Sequence, residues 1–317
     1  MQVFLNGSFV EGDGARIAPL DAGFQHAVGL FETMLGGVRE GKPWVVALDE
    51  HCERLAGSAA ALGLSPDLRA GALGDAVLAT VERAGLGRAR VRLTVTGGDL
   101  NLLARGTGGA AEAPKAVDPT ILITTQPATV YPEAMLRSGV TVSLADARAN
   151  NFDPTQGHKT LNYWWRLREL QSAGRKGAAE ALVFDVTNHL AGGCVSNAFV
   201  VKGGAVYTPF ARGEEGFGPS GPTGEPGERP AEGRHLPSPV LPGVTRTWAV
   251  NQLTLKGLKV ERGMVKINDV LEADEVFLTN SSWGVLPVVQ LEAKPIGRRV
   301  VGPVTGGLVE AWGRWVG

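Results

Sequence analysis

Apolar residues recur at three- and four-residue spacings in two early segments. Over residues 47–63, Leu48, Cys52, Leu55, Ala59 and Leu62 would line one helical face, and Gly63 can end the helix. Residues 66–84 repeat the pattern with Leu68, Leu73, Val77 and Val81. Ser65 is a fitting cap there, because Pro66 would take the first helical position. Two further helices are expected over 160–173 and 246–256. Alternating or continuous apolar runs predict strands over 90–96, 121–125, 140–144, 181–184, 199–202, 206–208 and 276–279. The chain should open with a hairpin, residues 3–5 and 9–10 flanking Asn6-Gly7. Strands mixed with helices in no regular alternation argue for an α+β fold rather than a doubly wound sheet.

Length adds a domain count. At 317 residues the chain exceeds the usual size of one domain, so two are expected. Residues 127–137 carry Pro132 and little periodicity and are read as the connection between a small domain at 1–126 and a larger one at 138–317. Gly 44 and Pro 19 exceed average usage, and part of the excess is local. Residues 211–240 hold 7 Gly and 6 Pro with few large apolar side chains. Such a stretch buries too little to offset its ordering entropy, and is read as a flexible surface insertion in the larger domain. Residues 106–119 read as an extended loop.

Charge removes several partners. Lys+Arg 31 against Asp+Glu 32 leaves a net charge of −1, with no basic footprint for nucleic acid or a membrane surface. Cys52 and Cys194 are too few for a disulfide framework and fit a cytoplasmic protein. The first residues, MQVFLNGSFVEGDGARI, lack the apolar core of a signal peptide, and no run of ~20 apolar residues suggests a membrane span.

Four separated segments carry candidate chemistry: Asp49-Glu50-His51-Cys52-Glu53-Arg54-Leu55, His158-Lys159-Thr160-Leu161-Asn162-Tyr163, Ser196-Asn197-Ala198-Phe199 and Leu241-Pro242-Gly243-Val244-Thr245-Arg246. In this order and spacing they resemble the fold-type IV pyridoxal 5'-phosphate enzymes. That family includes branched-chain and D-amino acid aminotransferases and aminodeoxychorismate lyases. Gly29-Leu30-Phe31-Glu32-Thr33, Ala273-Asp274-Glu275 and Pro287-Val288 extend the match. The resemblance implies a two-domain D-amino acid aminotransferase-like fold, with the cofactor in a cleft between the domains, and a homodimer.

It also implies roles. Lys159 would be the catalytic Schiff-base lysine, a task suited to an amine that burial or a neighbouring cation can neutralise. Arg54, on one helical face with His51, would grip the cofactor phosphate with its planar fork of donors. Val244 and Thr245, where a helix should begin, would bind the same phosphate. Ser281 and Ser282 would add hydroxyls, Ser196 and Asn197 would flank the cofactor, and Tyr163, expected one helical turn beyond Lys159, would hydrogen-bond its 3-oxygen. Phe31 and Glu32 would line the substrate pocket.

The pattern breaks at Gly192. The family carries a Glu there, five residues before the Asn, which keeps the pyridine nitrogen protonated; no acid lies between Asp185 and Glu214. An Arg-x-His carboxylate trap is also missing after residue 96, where Gly97-Gly98-Asp99 stands instead. The implied activity is amino transfer between a branched-chain-like amino acid and a 2-oxo acid. The stretch Asn280-Ser281-Ser282-Trp283-Gly284-Val285-Leu286-Pro287-Val288 looks instead like the lyases, which expel pyruvate. A degenerate cofactor binder of weak turnover is the third reading.

Overall fold

The computed structural model describes residues 2–65, 67–99, 118–215 and 236–317. Residues 106–117 of the expected loop, 216–235 of the expected insertion, and Pro66 lie outside the described residues. The chain divides into two compact units: residues 1–129 with 159–162, and residues 130–158 with 163–317.

The first unit contains β1 (Gln2–Leu5), β2 (Ser8–Glu11), α1 (Ala22–His26), β3 (Gly29–Arg39), β4 (Lys42–Val45), α2 (Leu48–Ala61), α3 (Ala70–Ala84), β5 (Ala89–Thr96) and β6 (Ile121–Pro127). Its strands form an antiparallel sheet in the order β2-β1-β6-β5-β3-β4. Asn6 and Gly7 both take positive φ, as the tight β1–β2 turn requires. The apolar stripe of α2 behaves as its spacing predicts: Cys52, Leu55 and Ala59 pack with Leu73, Val77 and Val81 of α3 against Val91, Leu93 and Val95 of β5. Helix α3 begins at Ala70, behind Arg69 as its N-cap. Ser65 therefore caps nothing, which corrects the start expected at Pro66.

The second unit runs through α4 (Glu133–Arg137), β7 (Val140–Ala149), α5 (Trp164–Arg175), β8 (Glu180–Asp185), β9 (Leu190–Gly193), β10 (Asn197–Lys202) and β11 (Ala205–Pro209). It continues with α6 (Val244–Leu255), β12 (Val260–Gly263), α7 (Ile267–Leu271), β13 (Glu275–Asn280), β14 (Gly284–Leu291), β15 (Lys294–Pro295) and α8 (Pro303–Val316). Its mixed sheet has the order β12-β11-β10-β13-β14-β7-β8-β9, with β15 on β14. The β12–β11, β14–β7 and β7–β8 pairs are parallel. Val142, Leu182, Val200, Leu278 and Leu286 centre one core, while Phe199 and Phe277 stack at 4.6 Å in a second beneath α6 and α8. Two such α+β units bear out the expected fold class. Among the described residues no helix is long and apolar enough to cross a membrane, and both cysteines are buried and free.

Candidate active site

The four residues 159–162 leave the chain order of the second unit and belong to the first. The reason is a short strand-like pairing with β3. Phe31 N–H donates to Lys159 O, and Leu161 N–H donates to Gly29 O, both at 2.9 Å, with Thr160 bridged to Leu30. These bonds hold Lys159 in extended backbone, so the helix expected from residue 160 begins only at Trp164, after Tyr163 as N-cap. Lys159 and Tyr163 consequently do not share a helical face. Gly29 permits the approach, since a Cβ there would lie 2.7 Å from the Leu161 side chain.

The pairing fixes the lysine's stem beside Phe31. Lys159 Nζ lies 4.4 Å from the Phe31 ring centroid, and the Arg92 guanidinium lies 3.9 Å from it. Cation–π attraction at these distances anchors both cations on a ring that is itself 5% exposed. Arg92, on β5, is a site residue that the sequence reading missed. Its position in the RVRLTVT strand gave no signal beyond its charge.

Phe31 faces Lys159, and its neighbour Glu32 faces helix α2. Glu32 is 1% exposed. Its carboxylate accepts from Arg54 Nε at 2.9 Å and Arg54 Nη2 at 2.5 Å, and sits 2.8 Å from His51 Nδ1. The i, i+3 spacing of His51 and Arg54 on α2 brings both to the one carboxylate. Burial alone would raise the Glu32 pKa; the Arg54 guanidinium and then the His51 hydrogen bond overcome it and hold it at about 2. Burial lowers the His51 pKa, against the opposing pull of Glu32. Nδ1 is the ring nitrogen that faces the carboxylate. The Glu32 carboxylate is thus taken up by His51 and Arg54 and braces Arg54.

The other named residues lie in the second unit. Helix α6 starts at Val244 behind Gly243, which has no side-chain cap. The first backbone N–H groups of that helix consequently lack intrahelical acceptors. A Cβ on Gly243 would lie 1.9 Å from Asn197 Oδ1, so only glycine lets the chain pass so close to Asn197. Asn197 Nδ2 donates to Leu241 O at 2.9 Å and ties β10 to this turn. Thr245 Oγ1 stands 3.4 Å from Ser281 Oγ. Thr279, in register with Asn197, has a buried hydroxyl with no partner. Ser282 is fixed by its backbone, its N–H donating to Asn280 Oδ1 at 2.9 Å. Tyr163 lies 5.9 Å from the Arg166 guanidinium.

A helix N-terminus, two hydroxyls in line and an orphaned third form a cradle suited to a phosphate monoester. The donor set fits pyridoxal 5'-phosphate, with Val244 and Thr245 backbone, Thr245 Oγ1 and Ser281 Oγ as candidate phosphate partners. Gly192 is a finding of its own. It adopts φ +124°, and a Cβ there would lie 2.7 Å from Ser196 O. The β9–β10 turn is folded tightly over this position and leaves no room for the carboxylate that the resemblance calls for.

The sequence profile of the amino-transferase class IV family matches residues 29–218 and 231–291, well over half of the chain. The chain belongs to that family. It is 28% identical to a putative branched-chain-amino-acid aminotransferase of Methanocaldococcus jannaschii, over 98% of this chain and 94% of the relative. It is 25% identical to the aminodeoxychorismate lyase of Bacillus subtilis, over 92% and 86%. Its fold is that of the Escherichia coli branched-chain amino acid aminotransferase (TM-score 0.80, 23% identity, 99% and 93% covered). Solved enzymes of the same fold include a branched-chain amino acid aminotransferase with pyridoxamine 5'-phosphate.

Proposed function

We propose that this chain is a pyridoxal 5'-phosphate-dependent aminotransferase, with a branched-chain-like amino donor and a 2-oxo acid acceptor. The observation that carries the reading is Lys159, strand-paired to β3 with Nζ beside Phe31 in a class IV chain. When bound, the cofactor supplies an aldehyde that captures the donor and a ring that draws electrons from its α-carbon. Lys159 Nζ would attach the cofactor and then move the proton from the donor α-carbon. Arg54, braced by Glu32, and the α6 N-terminus with Thr245 and Ser281 would hold the phosphate. Asn197 and Ser282 shape that cradle, and Tyr163 would orient the ring through its 3-oxygen. Phe31 packs against the lysine stem and lines the approach of substrate.

A lyase that releases pyruvate is the second reading, supported by the 280–288 stretch and the Bacillus subtilis relative. In either case the protein would act as a cytoplasmic homodimer, without nucleic acid or membrane partners. The test is the visible spectrum of the protein loaded with pyridoxal 5'-phosphate, before and after L-leucine, L-glutamate or D-alanine. A bound-cofactor band that one donor converts to the amine form supports the transaminase. Pyruvate release from aminodeoxychorismate without such conversion supports the lyase. A band that no substrate moves fits the degenerate binder. Failure of the wild type to form a band that Lys159→Ala lacks overturns the Lys159 assignment.

A further inference from the structure

Glu180 on β8 is fully buried and none of the roles above uses it. Four donors converge on its carboxylate. The Ala181 and Cys194 N–H groups donate to Oε1 at 3.1 and 3.0 Å; the Val195 N–H and the Ser196 hydroxyl donate to Oε2 at 3.3 and 3.2 Å. Among the described residues no cation touches it. Arg166 of α5 comes to the same turn, but donates to the carbonyls of Gly193 and Cys194 at 3.4 and 3.2 Å. Glu169 of α5 and the Cys194 thiol are the other titratable groups acting on this turn, and neither supplies positive charge. Burial pushes the Glu180 carboxyl above its ordinary range. A dry carboxylate without a countercharge is costly, and a protein keeps one where a cation arrives later.

The geometry shows where that cation can enter. The Ala181, Cys194 and Val195 donors are backbone groups, and the Cys194 thiol that also bonds the carboxylate is fully buried, so among the described residues Ser196, half-buried rather than enclosed, is the side chain that leads outward. Because Ser196 Oγ–H is spent on Glu180, the oxygen's lone pairs face outward as acceptors. The turn is built around this hydroxyl: a Cβ on Gly193 would lie 2.3 Å from Ser196 Oγ and 3.0 Å from the Glu180 carboxyl carbon. Ser196 O in turn closes over Gly192. The space that a side chain at 192 or 193 would need is taken by Ser196, and the buried acid beside this turn is Glu180 on the neighbouring strand. Asn197, the next residue, donates to Leu241 O of the turn that leads into α6.

We propose that Glu180 is a positioning carboxylate which, through the Ser196 hydroxyl, holds the ring nitrogen of the bound cofactor in its protonated form. The inference rests on the cofactor assignment above. The nitrogen–proton bond stays intact: N–H⁺ donates to Ser196 Oγ, Ser196 Oγ–H donates to Glu180 Oε2, and no atom is transferred. The acid that the sequence lacks at 192 is supplied from β8 by way of one hydroxyl.

The experiment is ¹⁵N magnetic resonance of the protein loaded with pyridoxal 5'-phosphate labelled at the ring nitrogen. The wild type should give the shift of a protonated pyridine. Ser196→Ala and Glu180→Gln should each move it to the unprotonated value while the cofactor stays attached to Lys159, and Ser196→Thr, which keeps the hydroxyl, should retain the wild-type shift. An unprotonated nitrogen in the wild type, or a shift that survives Ser196→Ala, overturns the proposal. If Glu180→Gln does not fold, the Ser196→Ala and Ser196→Thr pair decides alone. A wild type that takes up no cofactor overturns the functional reading, whereas attachment with an indifferent ring nitrogen overturns only this inference.

Discussion

Glu32→Gln isolates the carboxylate that holds Arg54 and His51 together. In the folded protein this carboxyl titrates at about 2 against an ordinary 4.5. That gap corresponds to about 3 kcal/mol of stability, since one pKa unit is roughly 1.4 kcal/mol. The folded carboxyl is the more acidic one, so its contribution is complete above pH ~4.5 and disappears as the pH falls through ~2. At pH 3 roughly 2 kcal/mol of it is already lost, because the unfolded carboxyl is by then almost fully protonated. Gln keeps the shape and an acceptor oxygen but removes the carboxylate charge that faces the Arg54 guanidinium. Breaking a buried ion pair in this way costs about 3–5 kcal/mol at neutral pH. The assay is equilibrium urea unfolding of both proteins at pH 6 and pH 3, followed by circular dichroism. The gap between the two proteins should shrink by about 2 kcal/mol on going to pH 3. An equal gap at both pH values would refute the argument, because it would make Glu32 a packing residue rather than a charge partner.

Four further outcomes follow from the backbone and one thiol. Gly192→Ala places a methyl 2.7 Å from Ser196 O at φ +124°, so it should lower stability by about 1–3 kcal/mol, read as a fall in the urea midpoint. Gly284→Ala drives a Cβ to 2.3 Å from the Trp312 ring at φ +76°; a loss of roughly 2–5 kcal/mol is expected. Gly57→Ala is its control, being helical with open space around it, and should raise stability by about 0.5–1 kcal/mol. Burial, with Glu32, Asp49 and Glu53 nearby, pushes the Cys52 thiol up to about 12. The native protein at pH 8 should therefore show no iodoacetamide labelling at Cys52 by mass spectrometry, while the urea-unfolded chain labels readily.

What the residue pattern revealed and what it hid both have physical causes. Helix α2 was legible because it buries one regular face, where period 3.6 survives, and strand β5 because its first half alternates before its last four residues are all buried. The long strand β3 gives no alternation. Most of its residues are buried, and Gly36 and Gly37 replace side chains where backbone passes close, a Cβ on Gly37 lying 2.2 Å from Gly87 O. Helix α8 was hidden by Gly306, Gly307 and Gly313, which weaken helix propensity, although Thr305, Leu308, Trp312 and Val316 are its buried residues. Strand β14 carries Pro287, a residue that argues against a strand, yet it pairs on both sides with β13 and β7.

The candidate site divides along the same line. Motif order singles out Lys159, Arg54, Asn197 and Thr245 as candidates, because such assignments rest on which residue types stand at which spacing. It could not show which charges answer one another, since that depends on strand register. Register places Phe31 and Glu32 on opposite faces of β3, one toward Lys159 and the other toward Arg54. A Glu that reads as a pocket residue thereby becomes the brace behind Arg54. Register also sets Glu180 across from the β9–β10 turn, twelve residues before the glycine whose missing carboxylate, read from sequence, weakens the chemistry. The gap at 192 is thus a local feature of one turn. Whether the site is impaired then turns on the adjacent strand, where Glu180 stands behind Ser196.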